Sequence, residues 1–221
     1  MFPFGKRKNE KGEMKNMRNL LLILVFVLVL TASAFAQSNI KLKHKYGAEN
    51  GELQSVLYFE DIQLERLMFT GSDLKNKDYQ IFIKKFVNGN AAQTEMIFDS
   101  KELASFKIAD EQLALRVYAK VTSDNTVKFS IESNVYGYRA NREYKIAPEQ
   151  KAFALKNFLG AKPEQAISLK DNNHLLAFMM PYAKKDGSTT YCEVVQSDVT
   201  PEELGEKFPI PLYFLIDIKF Q

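Results

Sequence analysis

The chain has 221 residues, 30 Lys+Arg against 27 Asp+Glu, two His and one Cys. A single cysteine excludes an intramolecular disulfide, and two distant histidines beside it exclude a locally spaced tetrahedral zinc set. The formal +3 comes from the first 36 residues, which carry six basic and two acidic side chains; the other 185 hold 24 Lys+Arg and 25 Asp+Glu, too balanced a surface to track phosphates, so no nucleic-acid partner is expected.

Lys6, Arg7, Lys8, Lys11, Lys15 and Arg18 precede the unbroken apolar run Leu20 to Leu30, followed by Thr31-Ala-Ser-Ala-Phe-Ala36. That is the pattern of a secretory signal peptide over residues 1–36, with small side chains at Ala34 and Ala36 before a cleavage ahead of Gln37. Met14 and Met17 are alternative starts. The apolar run is about half of the roughly 20 residues that a spanning helix needs, so no stable membrane span is expected after cleavage. Gln37 in place of a cysteine argues against lipoprotein processing. The expected location is the periplasm or the exterior.

Beyond the leader, period-two alternation dominates. Tyr79, Ile81 and Ile83, and the run Thr94 to Phe98, flank Asn88-Gly-Asn90 as one hairpin. Leu113, Leu115, Val117, Ala119 and Val121 alternate with polar positions, and Val127, Phe129 and Ile131 resume the pattern after the turn Ser123-Asp-Asn-Thr126. A third hairpin is expected from Leu175, Ala177 and Met179, through Lys184-Lys-Asp-Gly187, to Tyr191 through Val195. The last strand, Leu212 to Phe220, is apolar on both faces as far as Ile216, which predicts a central or covered position. Helical signals are short. Asp99-Ser100 caps one turn, and Thr200-Pro-Glu-Glu203 has capping-box spacing, with Gly205 expected to stop that turn. Pro148 to Leu159 reads as a helix of about three turns or, because Phe153 and Leu155 alternate, as a strand.

"DLKNKDYQIFI" from Asp73 and "SLKDNNHLLAF" from Ser168 open two similar successions of turn, strand, turn, strand, acidic cap and strand. The expected fold is therefore mainly β: antiparallel β-sandwich of immunoglobulin-like type, as two tandem related domains, 37–135 and 136–221, with short helical turns. The alternative is one β-rich domain over 37–221.

No catalytic residue is assigned. Cys192 shares its strand face with Thr190 and Val194, the setting of an inert thiol. Glu60-Asp61 and Glu202-Glu203 are adjacent pairs, which do not face one bond. No phosphate loop, nucleophile elbow or His-Glu-x-x-His occurs. Asp73, Asn76, Asp78, Asp171, Asn172 and Asn173 place oxygens at turn tips, where backbone geometry alone explains Asp and Asn. No metal and no cofactor are assigned.

Binding character concentrates in Tyr136-Gly-Tyr-Arg-Ala-Asn-Arg-Glu-Tyr144, because Tyr and Arg dominate interface energetics. Tyr136, Tyr138, Arg139, Arg142 and Tyr144 are the candidate site, with Tyr136, Tyr138, Arg142 and Tyr144 on one face if extended. Cross-strand packing is the competing explanation of the tyrosines. The expected function is that of an exported, non-catalytic protein-interaction or scaffolding module of the bacterial cell envelope, as a component of a secretion assembly, with a glycan-binding β-sandwich module as the alternative and a hydrolase using Cys192 or a carboxylate site as a third reading. Its expected partners are other envelope proteins or itself, with glycan as a second partner class.

Overall fold

The computed structural model describes residues 38–221, apart from 136, 161, 185, 192, 193 and 195–198; the leader and Cys192 lie outside the described residues. In chain order the elements are β1 (Lys41–Tyr46), α1 (Gly51–Phe59), β2 (Gln63–Thr70), β3 (Tyr79–Val87), β4 (Asn90–Asp99), β5 (Gln112–Val121), β6 (Thr126–Ser133) and β7 (Arg139–Lys145). They continue with β8 (Ala154–Asn157), β9 (Gln165–Ala166), β10 (Asn173–Met179), β11 (Tyr182–Ala183), β12 (Thr189–Thr190), α2 (Leu204–Lys207) and β13 (Leu212–Phe220).

The molecule is mainly β, with antiparallel pairing throughout the described strands. One sheet runs β7-β6-β5-β2-β1-β9 and the other β4-β3-β13-β10-β8, while β11 and β12 form a two-residue ribbon. The alternation at 113–131 forms the expected hairpin, with Val117 opposite Ile131 and Val121 opposite Val127. Asn125 supplies its positive φ of 57°, a conformation that Asn tolerates better than most residues. Asn88 and Gly89, at φ 49° and 81°, close β3 onto β4 in the same way.

Inward residues of both sheets share one core. Phe129 packs edge-on against Phe178 and Phe214 at centroid distances of 5.5 and 5.4 Å, and Phe153 stacks on Phe178 at 5.0 Å. Offset and edge-on contacts of this kind suit the charge distribution of the rings. Residues from Ile40 to Phe220 contribute to this core. Ser38–Gln221 is accordingly one compact unit. The boundary expected at 135/136 falls between β6 and β7, which pair from Thr126↔Lys145 to Glu132↔Arg139. β3, from the first half, also hydrogen-bonds along the whole of β13, from the second. A cut at that boundary severs both sheets.

Strand β13 is both central and covered. Phe214, Ile216 and Ile218 face the shared core, while Tyr213 and Leu215 lie under a second cluster with Phe86, Met179, Tyr182, Leu204 and Ile210. The cover carries α2, whose Gly205 meets the β3–β4 turn so closely that a Cβ there would stand 2.5 Å from Gly89 Cα. Gly205 therefore lies inside the helical turn as a packing residue and does not end it.

One open expectation is decided and another changes. Of the two readings of Pro148 to Leu159, the strand holds and the helix does not: Ala154–Asn157 forms β8, with Leu155 opposite Phe178 in the ladder with β10. The turn at Lys184–Gly187 joins the short β11 and β12, not β10 to 191–195; β10 lies between β8 and β13.

Candidate functional site

The expected binding residues lie on and before β7, an edge strand. Tyr136 lies outside the described residues. Tyr138 packs on Phe98 and Phe106 at 4.3 and 5.4 Å. Tyr144 is 7% exposed, against Phe129 and Phe214. Its hydroxyl donates to Glu95 Oε2 at 2.9 Å, and burial, followed by that carboxylate, raises its pKa. Arg142 pairs with Glu95 and the exposed Arg139 with Glu132. The described tyrosine rings thus belong to the packing between the sheets, and β7 turns Arg139, Asn141 and Glu143 outward.

Asp73, Asp78 and Asn173 are engaged within the fold. Asp73 accepts from Asn39 N, Asp78 accepts from Ser100 Oγ and faces Lys107, and Asn173 bonds to Ser168 on both its backbone N–H and its carbonyl.

Two buried carboxylates stand out, both on strands. The first is Asp217 on β13, fully buried on the covered face. His174, directly opposite on β10, places Nδ1 2.8 Å from Asp217 Oδ1 and Nε2 3.1 Å from Glu202 Oε2. Lys84 on β3 places Nζ 2.8 Å from both Asp217 Oδ2 and Glu202 Oε1. Burial works against the Lys84 charge, but the hydrogen bonds it donates to Asp217 and Glu202 outweigh it and its pKa is raised. The four side chains close a ring. His174, Glu202 and Asp217 each bring one ligand atom within 4.8 Å of the others, so the set could hold a metal only by displacing an ammonium held charged between the carboxylates. Both imidazole nitrogens are engaged, which leaves no base free for a substrate. The ring pins the turn Pro201–Glu203 onto the sheet.

The second carboxylate is Glu65 on β2, 2% exposed. It stands in phase with the inward Leu67 and Phe69 and opposite Tyr46, where the gap between the sheets opens toward α1. β8 approaches β2 there through side chains: Gln63 donates to Phe153 O at 2.8 Å and accepts from Leu155 N at 2.6 Å. Asn157 Nδ2 reaches Glu65 Oε1 only at 3.4 Å, and Glu65 Oε2 has no partner among the described residues. Burial pushes the Glu65 carboxyl up to about 7, partly offset by Asn157 and Lys156. His44 lies one inward position from Tyr46; both its ring nitrogens are buried without partners, and burial lowers its pKa to about 4. Gln165, across from Leu42 in register, has an unpartnered Oε1 as well.

A cavity of about 360 Å³ opens on Glu65, lined also by Tyr46, Gln63, Leu155, Lys156, Asn157 and Gly160. Tyr46 and Gln63 also line a neighbouring groove of about 660 Å³ that runs along Leu57 and Tyr58 of α1 to Phe153. Helix α1 is capped by Asn50, whose side chain accepts from Leu53 N at 2.9 Å. It buries Leu57 but leaves Leu53, Val56, Tyr58 and Phe59 at 50%, 56%, 62% and 86% exposure.

Sequence reasoning missed this site, although one signal was present: Glu65 is a charged residue in the inward phase of Glu65-x-Leu67-x-Phe69. The chain matches no family model, no curated protein and no solved structure. No helix among the described residues is long and apolar enough to cross a membrane.

Proposed function

We propose that the protein is an exported, non-catalytic binding module that works by contact with another protein, on a β-sandwich scaffold, through α1 and the groove beside it. The observation that carries this reading is the outward apolar row of α1. Leu53, Val56 and Phe59 are spaced by three residues, so they stand on adjacent turns of one side, with Tyr58 at the groove. Exposed apolar side chains concentrated on one short element mark interaction surfaces in soluble proteins. The segment 47–62 carries Glu49, Glu52, Glu60 and Asp61 and no basic residue. Lys45 and Arg66 pair with Glu49, and Lys120 with Glu60, which leaves Glu52 and Asp61 to attract a partner. The fitting partner is thus a protein segment with apolar and basic side chains. Export rests on the leader, and a mature chain beginning at Gln37 is its direct check.

The test is affinity capture from the envelope fraction of the native host, comparing the parent with a Val56→Ser/Phe59→Ser variant of equal thermal stability. Loss of an identified partner in the variant, and weakening by salt in the parent, supports the assignment. An unchanged partner set removes it. The glycan alternative relied on an outward aromatic row along β7, and the inward rings of Tyr138 and Tyr144 withdraw that support.

A further inference from the structure

We propose that the Glu65 cavity takes a primary alkylammonium group, with its nitrogen against Glu65 Oε2 and its methylenes against Tyr46 and Leu155. The inference rests on the reading of this end of the molecule as a binding surface, but uses a different set of side chains from the α1 row.

The first reason is the state of the carboxylate. Glu65 is almost wholly buried, lines the cavity and has an oxygen without a partner. A buried carboxylate normally has its charge paired and its lone pairs filled. The protein supplies one long amide bond, from Asn157. Lys156, the one cation among the described residues that line the cavity, holds its ammonium over the Tyr191 ring at 5.7 Å. What the site lacks is a positively charged donor.

The second reason selects the kind of cation. Oε1 already accepts from Asn157, so one oxygen remains. A guanidinium binds best as a fork on two oxygens, whereas an ammonium acts as a point charge on one. Divalent calcium takes six or more oxygen ligands, which this cavity does not gather. Tyr46, half exposed at the entrance, offers a ring face to a cation and an apolar surface to its stem. The cavity volume, about 360 Å³, accommodates a four-carbon chain. Such a group comes either as a free amine or as a lysine side chain of a protein partner.

Calorimetry on the full mature chain distinguishes these sources. The probes are n-butylammonium, n-butanol, and blocked Gly-Lys-Gly and Gly-Arg-Gly peptides, at matched ionic strength. The proposal expects n-butylammonium to bind and n-butanol not to. It also expects Glu65→Gln, nearly isosteric and neutral, to weaken the amine at least tenfold. Tyr46→Ser weakens it several-fold with the carboxylate intact. Binding of the lysine peptide in preference to the arginine peptide assigns the site to a partner's lysine; binding of n-butylammonium alone assigns it to free amines.

Affinity falls as pH drops below about 7, where the carboxyl takes up a proton. The other titratable groups that line the site are Tyr46 on β1 and Lys156 on β8. Val56→Ser/Phe59→Ser leaves amine binding unchanged, so failure here and failure of the α1 assignment read out separately. No n-butylammonium binding up to about 10 mM, equal binding of n-butanol, or undiminished binding by Glu65→Gln each overturns the proposal.

Discussion

Asp217 and Glu65 are both carboxylates buried on β-strands, at 0% and 2% exposure, yet their surroundings are opposite. Asp217 faces His174 and Lys84 at 2.8 Å each, and the other contacts of both side chains run to Glu202, which lies on the cover. Glu65 has one amide at 3.4 Å and a buried oxygen without a partner, and the residue lines a cavity. Low dielectric strengthens a complete polar network and penalises an incomplete one. The first arrangement therefore fastens the 200–207 segment to the sheet. The second holds an unmet electrostatic demand at an opening, which is the condition for binding something.

The largest effect expected from this contrast is at Asp217. Asp217→Ala leaves Lys84 and His174 with only Glu202 and should destabilise by about 3–5 kcal/mol, the usual cost of breaking a buried pair, as read by urea unfolding at pH 7. Glu65 should behave in the opposite sense. Its folded pKa of about 7 lies above the unfolded value, so its contribution is greatest below pH 4.5 and is lost as pH rises through 7. The stability of Glu65→Gln relative to the parent should then grow by about 3 kcal/mol between pH 4.5 and 8.

His44 has the reverse sign. Its folded pKa of about 4 lies below 6.5, so stability is present above 6.5 and lost as pH falls toward 4. His44→Leu should reduce that acid loss by about 2 kcal/mol, less than the Glu65 effect because the residue as a whole is less buried than Glu65. The smallest effect is at the surface: Phe59→Ser should change stability by under about 0.5 kcal/mol while abolishing partner capture.

The scaffold was legible where local signals coincided. The alternation from Leu113 to Ile131, the Asn88-Gly89 turn and the two-faced apolarity of Leu212 to Ile216 each state a backbone geometry within a few residues. Strand order was not legible, because the β3–β13 pairing joins residues more than 120 positions apart and no local pattern encodes which strand is adopted as neighbour. The resemblance around Leu74 and Leu169 therefore did not report domain division: Leu74 lies in the shared core and Leu169 packs against it.

The site followed the same rule. Tyr144 and Tyr138 carried a composition suited to interfaces, but their phase along β7 turned the rings inward. Glu65 carried the right clue, a charge in an inward phase, yet β2 alone does not reveal that β8 reaches it with the Asn157 amide while the Lys156 ammonium lies over Tyr191. Nor does adjacency of Glu202 and Glu203 suggest that Glu202 meets His174 and Lys84. Helix α1 depended on a single Asn cap and nine residues, too short for periodicity to show.

The central claim is that the Glu65 carboxylate is unpaired in the free protein and waits for a cation. Titration of its side-chain carboxyl carbon by NMR, with and without n-butylammonium, tests this most directly. The account predicts a midpoint near 7 in the free protein, moving down by at least one pH unit as the amine saturates the site. A free midpoint in the ordinary range of about 4 to 4.5, or one that the amine does not move, contradicts it.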